Sequence, residues 1–370
     1  EAQIETALEK VRSQTMGMQT SEDLSKVAAA MFDQIRMLGG DLFSCGIVLC
    51  DENKNEVDQW LSAPDIGMMP PFFVPKNLDF IHQYRYDKWK AGVELFSIEI
   101  PENKIAQHFE LLFALPSLKN ILDSIAAQGL SLPEVPKWEI DYGASFKYGY
   151  ILISALQPFK EAHIFPRFAK VFEQTYTRFL DLQKAEAQAR EAQIEAALEK
   201  VRSRSLAMHK SDELNEVVSV LYEKAKELNI PFTAVGIGIY IDSSKDLNAF
   251  VCGENKDGLV ITNYRLPYFK HIIPMDFNNA REKQLDFFVG HYSKEEKNSF
   301  YEYLLDHTPE LRNLPDDIKR MIFESPSYTI SLLRVNNAVF NVNDFEGNHL
   351  SENEIDIIRR FARVFDQAYT

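Results

Sequence analysis

The stretch "AQAREAQIEAALEKVRSRSLAM", residues 187–208, contains neither glycine nor proline, and it decides how the chain is organised. Its residues 191–203 nearly repeat the opening of the chain, "EAQIETALEKVRS", residues 1–13. Both segments are rich in residues that favour helices. Because this helical segment occurs twice, we predict that it is a connector between two copies of a larger unit.

The duplication extends over the whole chain. Matched features recur at a shift that drifts from 190 to 193 residues: Glu1 with Glu191, Pro75 with Pro267, and "FAKVFEQTYT" from Phe168 with "FARVFDQAYT" from Phe361. Because the shift changes among the loops, the insertions fall where surface loops tolerate them. The chain of 370 residues also exceeds what one hydrophobic core usually organises. The sequence therefore predicts two tandem domains rather than an array of small repeats.

Charge and cysteine content restrict the partners and the compartment. The formal net charge of −15 and the scattered lysines and arginines disfavour nucleic acid and anionic membrane as partners. The odd spacing of Cys45 and Cys50 in a strand-like run predicts thiols on opposite faces, which indicates reduced core cysteines in a cytoplasmic protein. No apolar run approaches the roughly 20 residues of a membrane span, so we expect no direct membrane contact by this fragment.

Each copy follows one order of elements. An amphipathic helix precedes a β-type run, "LFSCGIVLCD" (42–51) or "TAVGIGIYID" (233–242), and an irregular middle leads to a strand and a helix closed by Pro116 or Pro309. Late strands and a last helix follow. That helix opens with a capping box, Ser351 with Glu354, and is expected to bury Ile355, Ile358, Phe361, Ala362 and Phe365. The predicted class is α+β, with a mainly antiparallel sheet flanked by helices.

The first strand "GIGIYID", the variable middle and the final "LSENEIDIIRRFARVFDQA" together resemble the GAF family of bacterial signalling domains. The phrases "EAQIEAALEKVRSRSLAMHKSDEL" and "VFEQTYTRFLDLQKAEAQAREAQIE" are similar to those that join such domains in tandem. The implied organisation consists of a connector helix (1–20), two GAF-like domains (21–166 and 211–354), a linking helix or coiled coil (167–210) and a C-terminal helix (355–370).

The resemblance implies a non-catalytic sensory and relay fragment of a sensor kinase, cyclase or transcription regulator. Binding of a small molecule or partner would be coupled through a dimeric helix to an output module beyond Thr370. A chain that begins and stops in mid-helix is expected to be part of a longer signalling protein, either membrane-anchored or not. No cofactor is expected. Asn255-Lys256 lacks the later Phe and Asp-Glu pair of cyclic-nucleotide-binding members, and no Cys-His pair stands in a loop for bilin attachment. The alternative is a degenerate, ligand-free dimerising scaffold.

The linking helix is predicted to pair two chains. No glycine or proline occurs from Arg167 to Ile230, and a helix from Phe168 to Met208 would extend about 60 Å. Apolar residues three or four positions apart favour a parallel homodimer along it. The residues predicted to form this dimer and relay face are Phe172, Phe179, Leu182, Ala189, Ile194, Leu198 and Val201. The alternative is that the helix packs against its own domain.

No catalytic or metal motif is recognisable. The sequence lacks a phosphate-binding glycine loop, a nucleophile elbow and a Cys-x-x-Cys pair. His209 superficially resembles the phosphorylated histidine of a sensor kinase, but copy one has Gln19 there, so a surface residue is the better interpretation. The other histidines are dispersed along the sequence. We therefore predict no enzyme activity and no metal site.

Aromatic and polar residues concentrate in the variable middle of each copy, as they do in small-molecule sites. At any one of these positions, core and loop packing is the more common role, and direct ligand contact is the alternative. Because the copies differ most in this region, we predict that they do not share a ligand. The ligand-pocket candidates are Trp60, His82, Tyr84, Tyr86, Trp89, Phe250, Tyr264, Tyr268 and His271.

Overall fold

A computed structural model describes residues 1–64, 66–129, 134–208, 213–336 and 338–369. The chain divides into two compact units, Glu1–Glu186 and Ala187–Thr370. Each unit contains helices and one antiparallel sheet, as the α+β prediction requires. His209 lies outside the described residues. No helix in the described part of the chain has both the length and the apolar character that a membrane span requires.

Unit 1 is built on a seven-stranded sheet. Its helices are α1 (Ala2–Met16), α2 (Leu24–Met37), α3 (Phe80–Lys90), α4 (Glu102–Phe113), α5 (Pro116–Ala127) and the first part of α6 (Phe165–Leu206). Its strands are β1 (Leu42–Cys50), β2 (Glu56–Ala63), β3 (Gly67–Met68), β4 (Phe72–Pro75), β5 (Leu95–Ile100), β6 (Glu139–Phe146) and β7 (Gly149–Ala155). The strand order is β3-β2-β1-β7-β6-β5, and β4 also pairs with β2.

Unit 2 repeats this plan with six strands. Its helices after α6 are α7 (Leu214–Glu227), α8 (Ile272–Glu282), α9 (Lys294–His307), α10 (Pro309–Arg312), α11 (Asp316–Glu324) and α12 (Glu352–Tyr369). Its strands are β8 (Ala234–Tyr240), β9 (Leu247–Asn255), β10 (Gly258–Leu266), β11 (Phe287–Ser293), β12 (Ser327–Arg334) and β13 (Ala338–Asp344). The order β10-β9-β8-β13-β12-β11 matches that of unit 1.

Local sequence signals set the helix ends. The capping box predicted at Ser351 is present: the Ser351 backbone N–H donates to Glu354 Oε2 at 2.6 Å. Of the residues that α12 was expected to bury, Ile355 is only half-buried. Pro116 and Pro309 both follow a helix, as predicted, but each also stands in the first turn of the next one, α5 or α10. That position suits proline, since it lacks the N–H that a first turn leaves unpaired.

The two faces of the unit 1 sheet carry different cores. The first core includes α1, α2 and the start of α6, which pack on side chains of β6 such as Ile140 and Tyr142. Val48, Tyr150 and Leu152 contribute to a second core on the opposite face. As the odd spacing predicted, Cys45 packs in the first core and Cys50 against the second. Successive strand residues alternate between the faces, so β6 directs neighbouring residues into both environments.

Helix α6 forms as one helix of 42 residues, as the lack of glycine and proline predicted. Most of its predicted dimer face is occupied within the chain. Phe172 and Phe179 are buried in the core of unit 1, and Ile194, Leu198 and Val201 are buried in that of unit 2. For these five side chains the structure shows the alternative, packing against the helix's own domain, because the core of each unit covers the apolar stripe.

The middle of α6 keeps part of the predicted dimer face in solvent. Leu182 is 54 % exposed, and Ala189 is exposed as well. The two units include the helices that the sequence interpretation had separated as connectors. Of the predicted dimer face, Leu182 and Ala189, on either side of the boundary at Glu186, are the two residues exposed to solvent.

One ion pair shows how closely the units repeat. In unit 1, Arg167 of α6 bonds Glu1, at 2.9 Å, and Glu5 of α1. In unit 2, Arg360 of α12 bonds two glutamates of α6, Glu191 at 2.5 Å and Glu195 at 2.7 Å. The same terminal helices are thus held by the same charges in both copies.

Candidate functional site

A cavity of about 70 Å³ lies in unit 1 on the sheet face opposite α1 and α2. Strands β1, β2, β6 and β7 form one side, and helices α3, α4 and α5 enclose it with apolar side chains such as Phe109 and Leu118. Polar side chains are unusually frequent in the lining: Ser44, Gln59, His82, Arg85, His108, Glu139 and Ser154. All seven are buried. Since buried polar groups are costly unless paired, their partners decide what the cavity can bind.

A buried ion pair forms one wall of this cavity. The Arg85 guanidinium of α3 bonds the Asp141 carboxylate of β6, and the two side chains are 3 % and 0 % exposed. Ser154 of β7 donates its hydroxyl hydrogen to Asp141 Oδ1 at 2.6 Å. Burial opposes the charge of Arg85, but Asp141 raises its pKa above the ordinary value. Arg85 is therefore a fixed cation whose partner is held in place by the sheet.

Three polar atoms of the lining have no hydrogen-bond partner among the residues that the structure describes: Gln59 Nε2, Arg85 Nε and Glu139 Oε2. Burial, together with the nearby charge of Asp141, raises the pKa of Glu139 well above its usual range. Two unused donors and one unused carboxyl oxygen thus meet in one enclosed space. This arrangement can receive a small molecule that offers both an acceptor and a hydrogen-bonding group for Glu139.

Asp79, His82 and His108 form a second polar cluster at the cavity. Asp79 caps α3: its Oδ1 accepts hydrogen bonds from the backbone N–H groups of Ile81 and His82. Asp79 also contacts Nδ1 of both histidines, at 2.8 Å for His82 and 2.5 Å for His108. The three residues place ligand atoms within 4.8 Å of one another, a proximity that the dispersed positions of the histidines in the sequence did not indicate.

The protonation of this cluster follows from its burial. Burial opposes ionisation of Asp79, yet hydrogen bonds from His108 and His82 keep its pKa below the usual range. Burial lowers the pKa of His82 to about 4, against the opposing effect of the Asp79 hydrogen bond. At neutral pH the His82 ring is thus uncharged and donates its Nδ1 proton to a carboxylate, so that Nε2 is its unprotonated nitrogen.

Of the five ligand candidates in unit 1, the structure places one in the cavity lining, His82. Trp60 packs in the core on the other face of the sheet. Tyr84, Tyr86 and Trp89 belong to the core beside the cavity, where the Trp89 indole N–H donates to the Phe146 carbonyl at 3.0 Å. These four aromatic residues therefore have the packing role that was their alternative interpretation.

Unit 2 has a larger cavity at the corresponding place, about 130 Å³ in volume. Strands β8, β9, β10, β12 and β13 and helices α8 to α11 line it, mostly with apolar side chains. Three of its polar side chains bond one another: Tyr328 donates to Asn343 Oδ1 at 2.7 Å, and Asn343 Nδ2 donates to Asn341 Oδ1 at 2.7 Å. Arg334 also stands in the lining, and its Nε has no partner among the described residues. This cavity is suited to an apolar molecule.

Strand register shows which residues correspond. Ile98 pairs with Asp141 in unit 1. Gly290 corresponds to Ile98, 192 positions later in the chain, and pairs with Ile330 in unit 2. Ile330 therefore stands in the place of Asp141, and Phe277 stands in the place of Arg85 on the matching helix. The remaining polar residues of unit 1 correspond as follows: Gln59 to Ala249, Asp79 to His271, His82 to Pro274, His108 to Phe300 and Glu139 to Tyr328.

Of the four ligand candidates of unit 2, two line a cavity and two do not. Tyr264 lines the large cavity, and Tyr268 lines a smaller one of about 20 Å³ beside it. Phe250 lies in the core on the opposite sheet face. His271 caps α8 by accepting the backbone N–H of Ile273 at 3.2 Å and does not line the large cavity.

Sequence reasoning missed the residues that make the unit 1 cavity polar. Glu139 and Asp141 stand two residues apart in "EIDYGASF", a strand that was not predicted in copy one. Acids at alternate positions of an apolar strand put two carboxyl groups on one face, and this was the available signal. Gln59, Arg85 and His108 carry no comparable signal. Arg85 is 56 positions from Asp141 and His108 is 29 positions from Asp79, so these residues meet only through the fold.

The fold and cavities define a two-unit α+β protein with one polar and one apolar internal site. The chain matches no protein-family model, and no curated protein matches it. Among solved structures, it is similar to a free methionine-R-sulfoxide reductase from Neisseria meningitidis, with 13 % identity, a TM-score of 0.29, and 48 % of this chain and 87 % of that chain covered. It is also similar to a bacteriophytochrome from R. palustris, with 10 % identity, a TM-score of 0.33 and coverage of 92 % and 63 %.

Proposed function

We propose that this chain is a non-catalytic sensory and relay part of a signalling protein, built from two GAF-like domains. The observation that carries the proposal is the set of unpaired polar atoms in the unit 1 cavity, at Gln59, Arg85 and Glu139. A fold that needed only a core could place apolar side chains at these positions, as unit 2 does with Ala249 for Gln59 and Phe277 for Arg85. Unpaired donors next to an enclosed volume are instead typical of a binding site.

Size and polarity define the proposed ligand. A volume of about 70 Å³ is smaller than the ~150 Å³ cavity that admits benzene in an engineered protein, so the ligand has few non-hydrogen atoms. It offers an acceptor to Gln59 Nε2 and Arg85 Nε and a hydrogen-bonding group to Glu139 Oε2. Small amides and carboxylates have this chemistry.

Strand β6 supplies a path from the cavity to α6. Asp141 faces the cavity wall, and its neighbour Tyr142 lies on the other face, where its ring contacts Phe165 of α6 with 5.4 Å between centroids. The Tyr142 hydroxyl also accepts the backbone N–H of Phe159 at 3.0 Å. A ligand that favours one position of β6 would therefore favour one position of the start of α6, which is the coupling that relay needs.

Ligand binding is tested by thermal unfolding of the metal-free chain with three small probes: acetamide, acetate and guanidinium. We expect acetamide to stabilise unit 1, because it alone combines an acceptor with N–H donors. A ligand at 100 times its Kd adds about 2.7 kcal/mol. Gln59→Leu should abolish the effect, and Tyr264→Phe in the unit 2 cavity should preserve it. If no probe stabilises the chain, or if Gln59→Leu leaves the effect intact, the proposed site is wrong.

Dimerisation forms a separate part of the proposal. It rests on the exposed middle of α6, where Leu182 is 54 % exposed next to small alanines. Multi-angle light scattering should give the mass of two chains, and Leu182→Glu should shift the mass toward one chain, with the exposed Leu259→Glu as a control. A monomeric wild-type chain would exclude relay through paired helices. A dimer that binds none of the probes would favour the scaffold alternative.

A further inference from the structure

The cluster of Asp79, His82 and His108 has the geometry of a metal site, and the proposed ligand site does not explain it. Each residue places a ligand atom within 4.8 Å of the others. Asp79 lies 2.8 Å from His82 Nδ1 and 2.5 Å from His108 Nδ1. Two imidazoles and a carboxylate are a ligand combination that Zn²⁺ and similar divalent ions accept.

The three side chains are held in place before any ligand arrives. The backbone N–H groups of Ile81 and His82 bond Asp79 Oδ1, which also contacts His82 Nδ1, whereas Asp79 Oδ2 faces His108 Nδ1. The rings of His82 and His108 are stacked with centroids 5.1 Å apart, and both side chains are 3 % exposed. Such fixed orientation lowers the ordering cost of binding an ion.

Unit 2 shows that the fold does not require this cluster. His271, Pro274 and Phe300 stand in the three matching positions, and Phe300 is buried in an apolar core. Since Pro274 and Phe300 serve in the same helices there, the two buried imidazoles of unit 1 need a reason other than packing.

We propose that Asp79 Oδ2 and the Nδ1 atoms of His82 and His108 bind one divalent transition-metal ion, with Zn²⁺ the best match. For the ion to bind, the single proton of the neutral His82 ring moves from Nδ1 to Nε2, and each bound ring then carries its proton on Nε2. Three protein ligands leave a coordination position for water or for a small donor molecule in the cavity that both rings line. The site stands independently of the proposed sensory function.

The test uses Co²⁺ as a spectroscopic probe on the full chain, with Zn²⁺ as a competitor. We expect one equivalent of Co²⁺, ligand-field absorption of a site with low coordination number, and displacement by Zn²⁺. His108→Phe copies the residue of unit 2 and should weaken binding more than roughly 100-fold, the upper limit for loss of an outer partner. His163→Phe, at an exposed histidine outside the site, should bind as the wild type does.

X-ray absorption spectroscopy of the Zn²⁺-loaded wild type gives a second measurement that needs no variant. It should report two imidazole nitrogens and at least one oxygen. Absence of stoichiometric binding, a different ligand set, or unchanged affinity in a folded His108→Phe chain would overturn the proposal. Stabilisation of the metal-free chain by acetamide reports on the proposed function separately, so each idea can fail alone.

Discussion

The two cavities occupy the same place in two copies of one fold, yet their chemistry is opposite. In unit 1, Arg85 and Asp141 form a buried ion pair, whereas Phe277 and Ile330 fill the matching positions of unit 2. The comparison shows that the sheet and its helices tolerate either a buried ion pair or two apolar side chains at these positions. It also shows that polar residues must change together, because a single buried charge without its partner is far more costly than either complete set.

The largest expected effect on stability comes from replacing one partner of this ion pair and leaving the other buried. Asp141→Ile leaves Arg85 buried without its anion and should lower the free energy of unfolding of unit 1 by about 3–5 kcal/mol. Urea unfolding followed by tryptophan fluorescence measures this, since all three tryptophans, Trp60, Trp89 and Trp138, lie in unit 1.

The double variant Arg85→Phe with Asp141→Ile is the matched control, because it copies unit 2. It should recover most of the lost stability, as replacement of a complete buried pair by apolar residues is often neutral. A double variant as unstable as Asp141→Ile alone would mean that the two cavities are not interchangeable solutions.

A smaller effect on stability, dependent on pH, is expected in unit 1 from the buried carboxyl group of Glu139, because Tyr328 occupies the matching position in unit 2. Burial and the charge of Asp141 raise its pKa in the folded state, so the folded chain binds the proton more tightly than the unfolded chain. The stability from this group is complete below the ordinary carboxyl pKa of about 4.3 and is lost as pH rises through the raised value.

Glu139→Gln should remove this loss and stabilise unit 1 at pH 8 relative to the wild type, with little difference at pH 4. Tryptophan-detected melting at several pH values measures it, and Tyr328→Phe at the corresponding position of unit 2 serves as the control. A wild-type chain whose unit 1 stability rises from pH 5 to 8 by an amount that Glu139→Gln leaves unchanged would contradict the assignment.

The smallest effect on stability is expected from the ion pair that both units share. Arg167 and Arg360 make equivalent ion pairs with glutamates on the first helix of their own unit. Both pairs are solvent-exposed and screened by salt, so Arg167→Met and Arg360→Met should each change stability far less than Asp141→Ile. Calorimetry of both variants at low and high salt checks this, and a large loss in one unit alone would show that the repeat is not energetically equivalent.

Much of the fold could be predicted from particular residues. The repeat at Glu1 and Glu191 gives two copies, the missing glycines and prolines give one helix across residues 168–206, and the Ser351 capping box gives the start of α12. Strand β6 could not be predicted in copy one, because Glu139 and Asp141 interrupt its apolar pattern. The candidate site was found only at His82 and Tyr264, since its other members are recognisable only by their neighbours in space.

The sequence by itself determined the duplication, the α+β class and the continuous helix, because each depends on local periodicity and on residues at fixed spacing. Only the tertiary structure decided which side of each sheet a side chain faces and which distant polar groups meet. His82 and His108 become partners through Asp79, and Phe172 and Val201 become core residues, because the close packing of strands and helices determines these contacts. The order of residues in the chain does not directly indicate these contacts.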